Sequence, residues 1–278
     1  MYEIVGKRRL HDTVTWMDIL APNVAKKAQP GQFIIFRIDE NGERVPLTIA
    51  GYDRERGTVT IIFQKVGHTT NLLDTLEVGD SLKDFVGPLG EASHFSGIKR
   101  AAVIGGGLGV AIAYPQAKAL HEMGAQVDVI VGFRNTGLIL LEEELKAACS
   151  NLTIMTDDGS NGAKGFVTQA LKDKIDAGEK YDVVIAIGPL PMMKAVCDLT
   201  KPYGIKTIVS MNPVMIDGTG MCGGCRVTIG GETKFACVDG PDFDGHLVDF
   251  DEAIRRSRMF RDMETEATHH CRMMGGNK

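Results

Sequence analysis

At 278 residues, with 44% hydrophobic side chains, the chain is long enough for two packed domains and a small appendage. A formal net charge of -5 and the lack of any block of Lys or Arg exclude nucleic acid or an anionic membrane as the main partner. The opening residues spread their charges without an apolar leader core, and no later run has the length of a membrane span, so a soluble, cytoplasmic protein is predicted.

Residues 1–97 read as short β segments separated by turns: 13–19, 32–38, 48–51, 58–65 and 81–86. Thr58-Val-Thr-Ile-Ile-Phe63 is rich in β-branched residues, and the breaks carry Gly or Pro, as in Pro30-Gly31, Asn41-Gly42 and Gly87-Pro88. Even spacing of short strands predicts a small antiparallel β-barrel. One helix, over 71–76, interrupts it; Gly67-His68-Thr69-Thr70 precedes it with hydroxyls that cap and N–H groups that suit a diphosphate. Arg44-Val-Pro46-Leu47-Thr48 places a guanidinium fork before a strand bearing a small hydroxyl. By itself it also reads as a surface Arg before an edge strand.

From residue 98 the pattern becomes strand and helix in alternation. The strands are expected over 101–104, 126–132, 152–156, 181–187 and 206–211, and the helices over 110–123, 142–149, 166–175 and 192–199. Repeated βα units of this length predict a parallel, doubly wound sheet with its ligand across the carboxyl ends of the strands. Gly105-Gly106-Gly107-Leu-Gly109 follows the first strand and opens its helix, the context in which a Gly-rich loop cradles phosphate. The third glycine of G-x-G-x-x-G is missing, since Val110 stands there, and no acidic residue clearly ends the second strand. Arg134 could meet a 2′-phosphate, stack on adenine, or simply be solvated. Asp157-Asp158-Gly159 suits either a ribose contact or an ordinary Asp-Gly turn. Cys149 and Cys197, alone in apolar-periodic stretches, read as inert core residues.

The last strand runs into Asp217-Gly-Thr-Gly-Met-Cys222-Gly-Gly-Cys225, followed after eleven residues by Cys237. The pattern D-x4-C-x2-C-x11-C is the plant-type 2Fe-2S spacing with an aspartate in the first ligand position. Six cysteines, three of them close together, suit metal or redox chemistry better than a disulfide scaffold. The competing reading is a structural zinc site, against which the Asp speaks. Residues 249–263 are charged and helical in period, a segment that could dock on a partner, and the end carries His269-His270-Cys271.

Together, the R-x-P-L-T barrel, the G-G-G-x-G nucleotide domain, the strand ending in Ile187-Gly188-Pro189 and the cysteine loop resemble one family over nearly the whole chain. It is the family of FAD, NAD and 2Fe-2S electron-transfer subunits related to that of dihydroorotate dehydrogenase B. Most members carry four cysteines. Asp217, with Thr156-Asp-Asp-Gly-Ser160 and the 218–225 loop, is similar to the branch formed by small subunits of NADH-dependent reduced ferredoxin:NADP oxidoreductases, also called sulfide dehydrogenase beta subunits. The resemblance implies a ferredoxin-reductase-like fold: an FAD barrel over 1–97, an NAD(H)-binding α/β domain over 98–212, a 2Fe-2S loop over 213–250, and a helix and tail over 251–278. It implies that Arg44, Pro46, Leu47 and Thr48 hold the flavin, with Gly67, Thr69 and Thr70 at its diphosphate. Gly105, Gly106, Gly107 and Gly109 would face the NAD(H) pyrophosphate, Arg134 and Asp158 the adenosine, and Gly188 and Pro189 the nicotinamide. Asp217, Cys222, Cys225 and Cys237 would hold the cluster. An oxidoreductase subunit without a catalytic acid or base is expected, delivering electrons to a larger flavin and iron-sulfur subunit and through it to ferredoxin. The alternatives are the dihydroorotate dehydrogenase B subunit itself and, from another class, a zinc-containing nucleotide-binding regulatory protein.

Overall fold

The computed structural model describes residues 1–260. Tyr2–His11 (β1), Val14–Leu20 (β2), Phe33–Arg37 (β3), Val45–Asp53 (β4), Thr58–Gln64 (β5), Ser81–Leu82 (β6) and Asp84–Leu89 (β7) form one antiparallel sheet in the order β6-β1-β2-β5-β4-β3-β7. Its two edge strands, β6 and β7, are separated in sequence only by Lys83. The edges must therefore meet, and the sheet curls into a nearly closed barrel. Inside lie Ile4, Met17, Ile19, Ile34, Phe36, Ile61, Phe63 and Phe85, contributed alternately by the strands. The sequence reading missed β1 because Tyr-Glu-Ile-Val-Gly-Lys-Arg-Arg has no apolar alternation; its pairing with both β2 and β6 makes it a strand.

A short helix, Pro22–Ala25 (α1), and a longer one, His68–Thr75 (α2), complete this part. Leu73 of α2 is buried in the barrel core, and Lys7 Nζ donates to the carbonyls of Asp74 (2.7 Å) and Leu76 (2.8 Å), satisfying groups at the helix end. The Asp74 carboxylate is buried, accepts the Thr15 hydroxyl, and pairs with Arg9 (3.0 Å) and Lys65 (3.1 Å). Burial acts to raise its pKa, but the Thr15 hydroxyl, Lys65 and Arg9 outweigh that and hold it below the usual carboxylate value. A lowered folded pKa contributes stability above the unfolded value of about 3.9, which is lost as pH falls through the folded value. Asp74→Asn is therefore expected to cost about 2 kcal/mol in urea unfolding at neutral pH. The difference from wild type should shrink below about pH 4.

The second part is built from Arg100–Gly106 (β8), Gly109–Glu122 (α3), Gln126–Phe133 (β9), Glu142–Ala147 (α4), Asn151–Thr156 (β10), Val167–Asp176 (α5), Val183–Ile187 (β11), Leu190–Thr200 (α6) and Thr207–Ser210 (β12). The strands β10-β9-β8-β11-β12 lie parallel in that order, so the winding reverses between β8 and β11. That reversal opens a crevice at the carboxyl ends of these two strands, where ligands of such sheets bind.

Three further elements were not legible in the sequence. Arg226–Ile229 (β13) and Glu232–Phe235 (β14) make a hairpin, and Asp242–Asp244 (β15) returns to pair antiparallel with β12, Ser210 opposite Asp242. Residues 211–241 thus leave the sheet and come back to its edge. The last helix among the described residues, Phe250–Arg256 (α7), ends before the described chain does and packs on its own chain: Phe250 is buried and Lys194 of α6 pairs with Asp251 at 2.7 Å. His269, His270 and Cys271 lie outside the described residues. Cys149 and Cys197 are buried thiols whose pKa burial pushes up, Cys197 to about 12, consistent with unreactive core residues. No helix among the described residues is long and apolar enough to cross a membrane.

The parts share cores. Val14, Ala50 and Ile62 of the barrel pack with the α3 side of the parallel sheet. Phe33 and Ile35 of β3 join Ile104, Ala186, Met215, Cys225 and Cys237 in a single cluster on the other side.

Candidate functional site

Gly105 and Gly106 are the last residues of β8, and Gly105 pairs with Ile187, the last residue of β11. The Gly107 N–H donates to the Gly132 carbonyl at 2.9 Å, tying the turn to β9. Gly109 opens α3 so close to β11 that a Cβ there would lie 2.4 Å from the Ile187 oxygen and 2.7 Å from Gly188 Cα. The missing third glycine of the dinucleotide pattern therefore has a substitute: Gly109, one position earlier than Val110, supplies the close approach of helix to strand. Across the crevice, a Cβ on Gly188 would stand 3.1 Å from the Gly106 nitrogen. Met192, in the first turn of α6, closes this corner; a Cβ on Gly106 would meet its Sδ at 2.4 Å. Sequence reasoning gave Met192 no role, since nothing in Pro189-Leu-Pro-Met-Met193 marks it for this place.

The loops after β9 and β10 run side by side. Asp157 N–H donates to Phe133 O (3.0 Å), Asp158 N–H to Arg134 O (3.3 Å), and Thr136 meets the Ser160 hydroxyl through both its N–H (2.8 Å) and Oγ1 (2.7 Å). Arg134 and Asp158 are thereby brought together, both exposed, at the edge of the crevice. The Asp158 carboxylate also accepts the Ser160 N–H at 2.9 Å, the bond of an Asp-Gly turn, and its pKa is lowered mainly by Ser160.

On the barrel, Pro46, Leu47 and Thr48 lie in the first half of β4 and are half-exposed, with Pro46 opposite Ile35 and Thr48 opposite Phe33. Gly67 is the residue before α2. The Thr70 hydroxyl accepts the N–H groups of Val66 and Gly67, both at 3.1 Å, so it shapes the turn that leads into the helix. Thr69 is buried and its hydroxyl donates to Glu43. Glu43, unremarked in the sequence, puts a carboxylate in the corner proposed for a diphosphate. Its neighbour Arg44 reaches elsewhere: Nε donates to the Ile216 carbonyl at 2.9 Å.

That carbonyl begins the cysteine loop. The Asp217 carboxylate accepts the Thr219 N–H (2.9 Å) through Oδ1 and the Cys222 N–H (2.8 Å) through Oδ2, and these bonds, Thr219 first, lower its pKa. It is an ionised group held in place by backbone. Cys225 and Cys237 are both 1% exposed and face one another. Burial first, then the neighbouring Cys225 thiol, push Cys237 up to about 12, while the Gly220 N–H opposes the shift. Two adjacent buried thiols cannot both ionise without a cation between them, which is the environment that a metal resolves. Cys222 is exposed, its sulfur accepting the Gly224 N–H at 3.5 Å. The fold thus pairs two of the predicted ligands and fixes a third, Asp217, nearby. Cys222 is turned outward, and no three His, Cys, Asp or Glu side chains among the described residues converge as a ready-made metal group. Two arginines hold the loop from outside: Arg226 donates to Gly223 O (3.2 Å) and Arg256 of α7 to Gly224 O (3.4 Å).

Comparison with known proteins falls on the same two places. The model of the iron-sulfur cluster binding domain of dihydroorotate dehydrogenase B matches residues 212–249, and that of the oxidoreductase NAD-binding domain matches 103–198. A Thermotoga maritima protein described as a homolog of the dihydroorotate dehydrogenase B (NAD(+)) electron transfer subunit is 43% identical over 94% of this chain and 92% of its own. The chain belongs to the family of dihydroorotate dehydrogenase B electron transfer subunits. Within that family it is 54% identical to an uncharacterised Clostridium beijerinckii protein encoded in the adh 3′ region, over 96% of this chain and 93% of the other. A solved chain of the NADH-dependent reduced ferredoxin-NADP oxidoreductase, from work on flavin-based electron bifurcation, is 41% identical, with a TM-score of 0.91 and 97% of each chain covered. A ferredoxin reductase of carbazole 1,9a-dioxygenase, at 20% identity and a TM-score of 0.63, shares the ferredoxin-reductase-like fold. The chain is accordingly a subunit of an NAD(H)-dependent oxidoreductase of the electron-transfer type, with the fold that the sequence predicted.

Proposed function

We propose that this chain is the small subunit of a cytoplasmic complex of the ferredoxin:NADP oxidoreductase type, binding FAD in the barrel, NAD(H) in the crevice and a 2Fe-2S cluster in the 217–237 loop. One observation carries the reading: the buried Cys225–Cys237 pair lies in the same core as β3 of the barrel and the ends of β8 and β11. In this reading the three candidate sites surround that one packed junction. Support for the ferredoxin:NADP branch comes from Asp217 and from the 41% identity over 97% of the solved chain. The recipient is a larger flavin and iron-sulfur subunit, with ferredoxin reached through it. The relatives named for dihydroorotate dehydrogenase B supply the second reading, in which the partner is that enzyme's catalytic subunit.

The glycine turn and the Cys225–Cys237 pair suit these groups, while Cys222 would have to turn inward to join the cluster. Gly106 and Gly188 let the ends of β8 and β11 lie close together beneath Met192, whose flexible side chain is the part that would yield to a planar ring. The N-terminus of α3, reached through Gly107, offers free N–H groups to a pyrophosphate. Thr48 lies on a half-exposed strand, and Arg44, exposed just before that strand, supplies a cation. A flavin held there would supply hydride acceptance from NADH and one-electron release towards the iron-sulfur centre. The chain itself binds, orients and excludes water, and Asp217, Cys222, Cys225 and Cys237 would hold the metal as anionic donors.

The test is anaerobic purification of the native complex, with its visible spectrum, iron, sulfide, zinc and flavin contents, and identification of the co-purified subunit. Flavin and iron with NADH bleaching are expected, together with a flavin and iron-sulfur partner. A colourless, zinc-loaded protein would overturn the proposal; a co-purifying dihydroorotate-oxidising subunit would select the second reading.

A further inference from the structure

We propose that Arg44 is a positioning residue that couples flavin occupancy of the barrel to the geometry of the cluster loop at Asp217. The inference rests on the functional reading above and goes beyond it, because that reading treats Arg44 only as a flavin contact and Asp217 only as a ligand.

The two residues on either side of Asp217 are both anchored to the barrel. Before it, the Ile216 carbonyl accepts Arg44 Nε at 2.9 Å, across 172 positions of sequence. After it, Gly218 has φ +75, and its backbone sits so tightly on the barrel that a Cβ would be 2.7 Å from Ile35 Cδ1 and 2.8 Å from Leu89 Cδ1. The first anchor precedes β4 and the second comes from β3 and β7, adjacent strands of one sheet. Between them the Asp217 carboxylate is locked by the N–H groups of Thr219 and Cys222. The position of this carboxylate is therefore set by the barrel on both sides rather than by the loop alone.

Of the two anchors, only Arg44 can respond to a ligand. The Gly218 contact is apolar and fixed. A guanidinium carries five N–H donors in a rigid plane, and Nε uses one. Its terminal nitrogens have no partner among the described residues. Arg44 is exposed and long, so its hold on Ile216 is loose until something fixes the other end of the plane. An anion such as the flavin diphosphate, bound to the terminal nitrogens, would do this while leaving Nε on the carbonyl. Glu43, whose carboxylate is engaged by Thr69 in the same corner, repels such an anion, which leaves Arg44 as the cation that must offset it.

The experiment uses the purified holo-complex under anaerobic conditions and measures the rate of iron release to a chelator, with flavin bound and after its removal. Reduced-cluster electron paramagnetic resonance spectra are recorded in both states. In wild type, flavin is expected to slow iron release by about tenfold, the scale on which groups behind a metal ligand act. The spectrum should shift when flavin leaves. Arg44→Lys keeps the charge but has no Nε; at saturating FAD it should bind flavin and show the same iron-release rate with and without it. Equal rates and unchanged spectra for wild type with and without flavin would overturn the proposal. So would full flavin-dependent protection in Arg44→Lys. If wild type holds neither flavin nor iron, the functional reading itself fails, and the coupling with it; that outcome is visible in the starting spectrum, before any comparison is made.

Discussion

Cys237→Ser is expected to remove the iron-sulfur chromophore, lowering affinity for iron by more than about 100-fold, while flavin content and the thermal unfolding profile change little. Cys237 is 1% exposed and lies against Cys225, so burial disfavours its thiolate unless a cation shares the site, and a serine hydroxyl, a far weaker acid and a harder donor, is a poor replacement. Flavin should survive at saturating FAD because none of the proposed barrel contacts involves residue 237, although the Arg44 coupling predicts somewhat weaker flavin affinity once the cluster is lost. Iron and flavin analysis of the same sample reads both outcomes. A cluster retained in full by the serine variant would remove Cys237 from the ligand set. Asp217→Cys is the matching control. The backbone N–H groups of Thr219 and Cys222 already hold position 217, so a thiolate there should keep the cluster and move its midpoint potential. An unchanged midpoint would mean that Asp217 is not a ligand.

Gly109→Ala is expected to cost about 3 kcal/mol of stability and to weaken NADH binding with it. The added methyl would sit 2.4 Å from the Ile187 carbonyl oxygen, a backbone atom that no rotamer change can move aside. Relief requires the first turn of α3 to lift away from β11, widening the crevice between Gly106 and Gly188. Chemical denaturation and NADH titration of the same variant test the two effects together. A variant with wild-type stability and affinity would show that the helix seat is not rigid. Gly107→Ala is the contrasting change, since nothing lies within 4 Å of a Cβ there and only its positive φ of 54 opposes the side chain.

Much of the architecture could be read directly. The alternation of apolar strand and helix from residue 98 onward predicted the five parallel strands and four helices within a few residues, because each βα unit buries a continuous apolar run. The barrel was visible in its Gly and Pro breaks, but β1 was not. A strand that draws its partners from β2 and from the distant β6 need not show alternation of its own. The hairpin β13–β14 and the edge strand β15 were hidden for a similar reason: each is four residues or fewer and is made a strand by its partner.

The candidate site divides in the same way. While Arg44-Val-Pro46-Leu47-Thr48 gained its flavin role only from the family resemblance, residue type and spacing pointed to the chemistry of two places: three cysteines and an aspartate at ligand spacing, and glycines after a buried strand. These are local properties, carried by donor atoms and backbone freedom that do not depend on distant parts of the chain. Which residues touch was decided only by tertiary structure. Glu43 against Thr69, Met192 over the two crevice glycines, Gly109 seated on Ile187, and Arg44 bound to the Ile216 carbonyl all join segments far apart in sequence or separated by a turn. A side chain's partner there is fixed by where the barrel and the parallel sheet pack against the loop between them, and no periodicity in the sequence encodes that meeting.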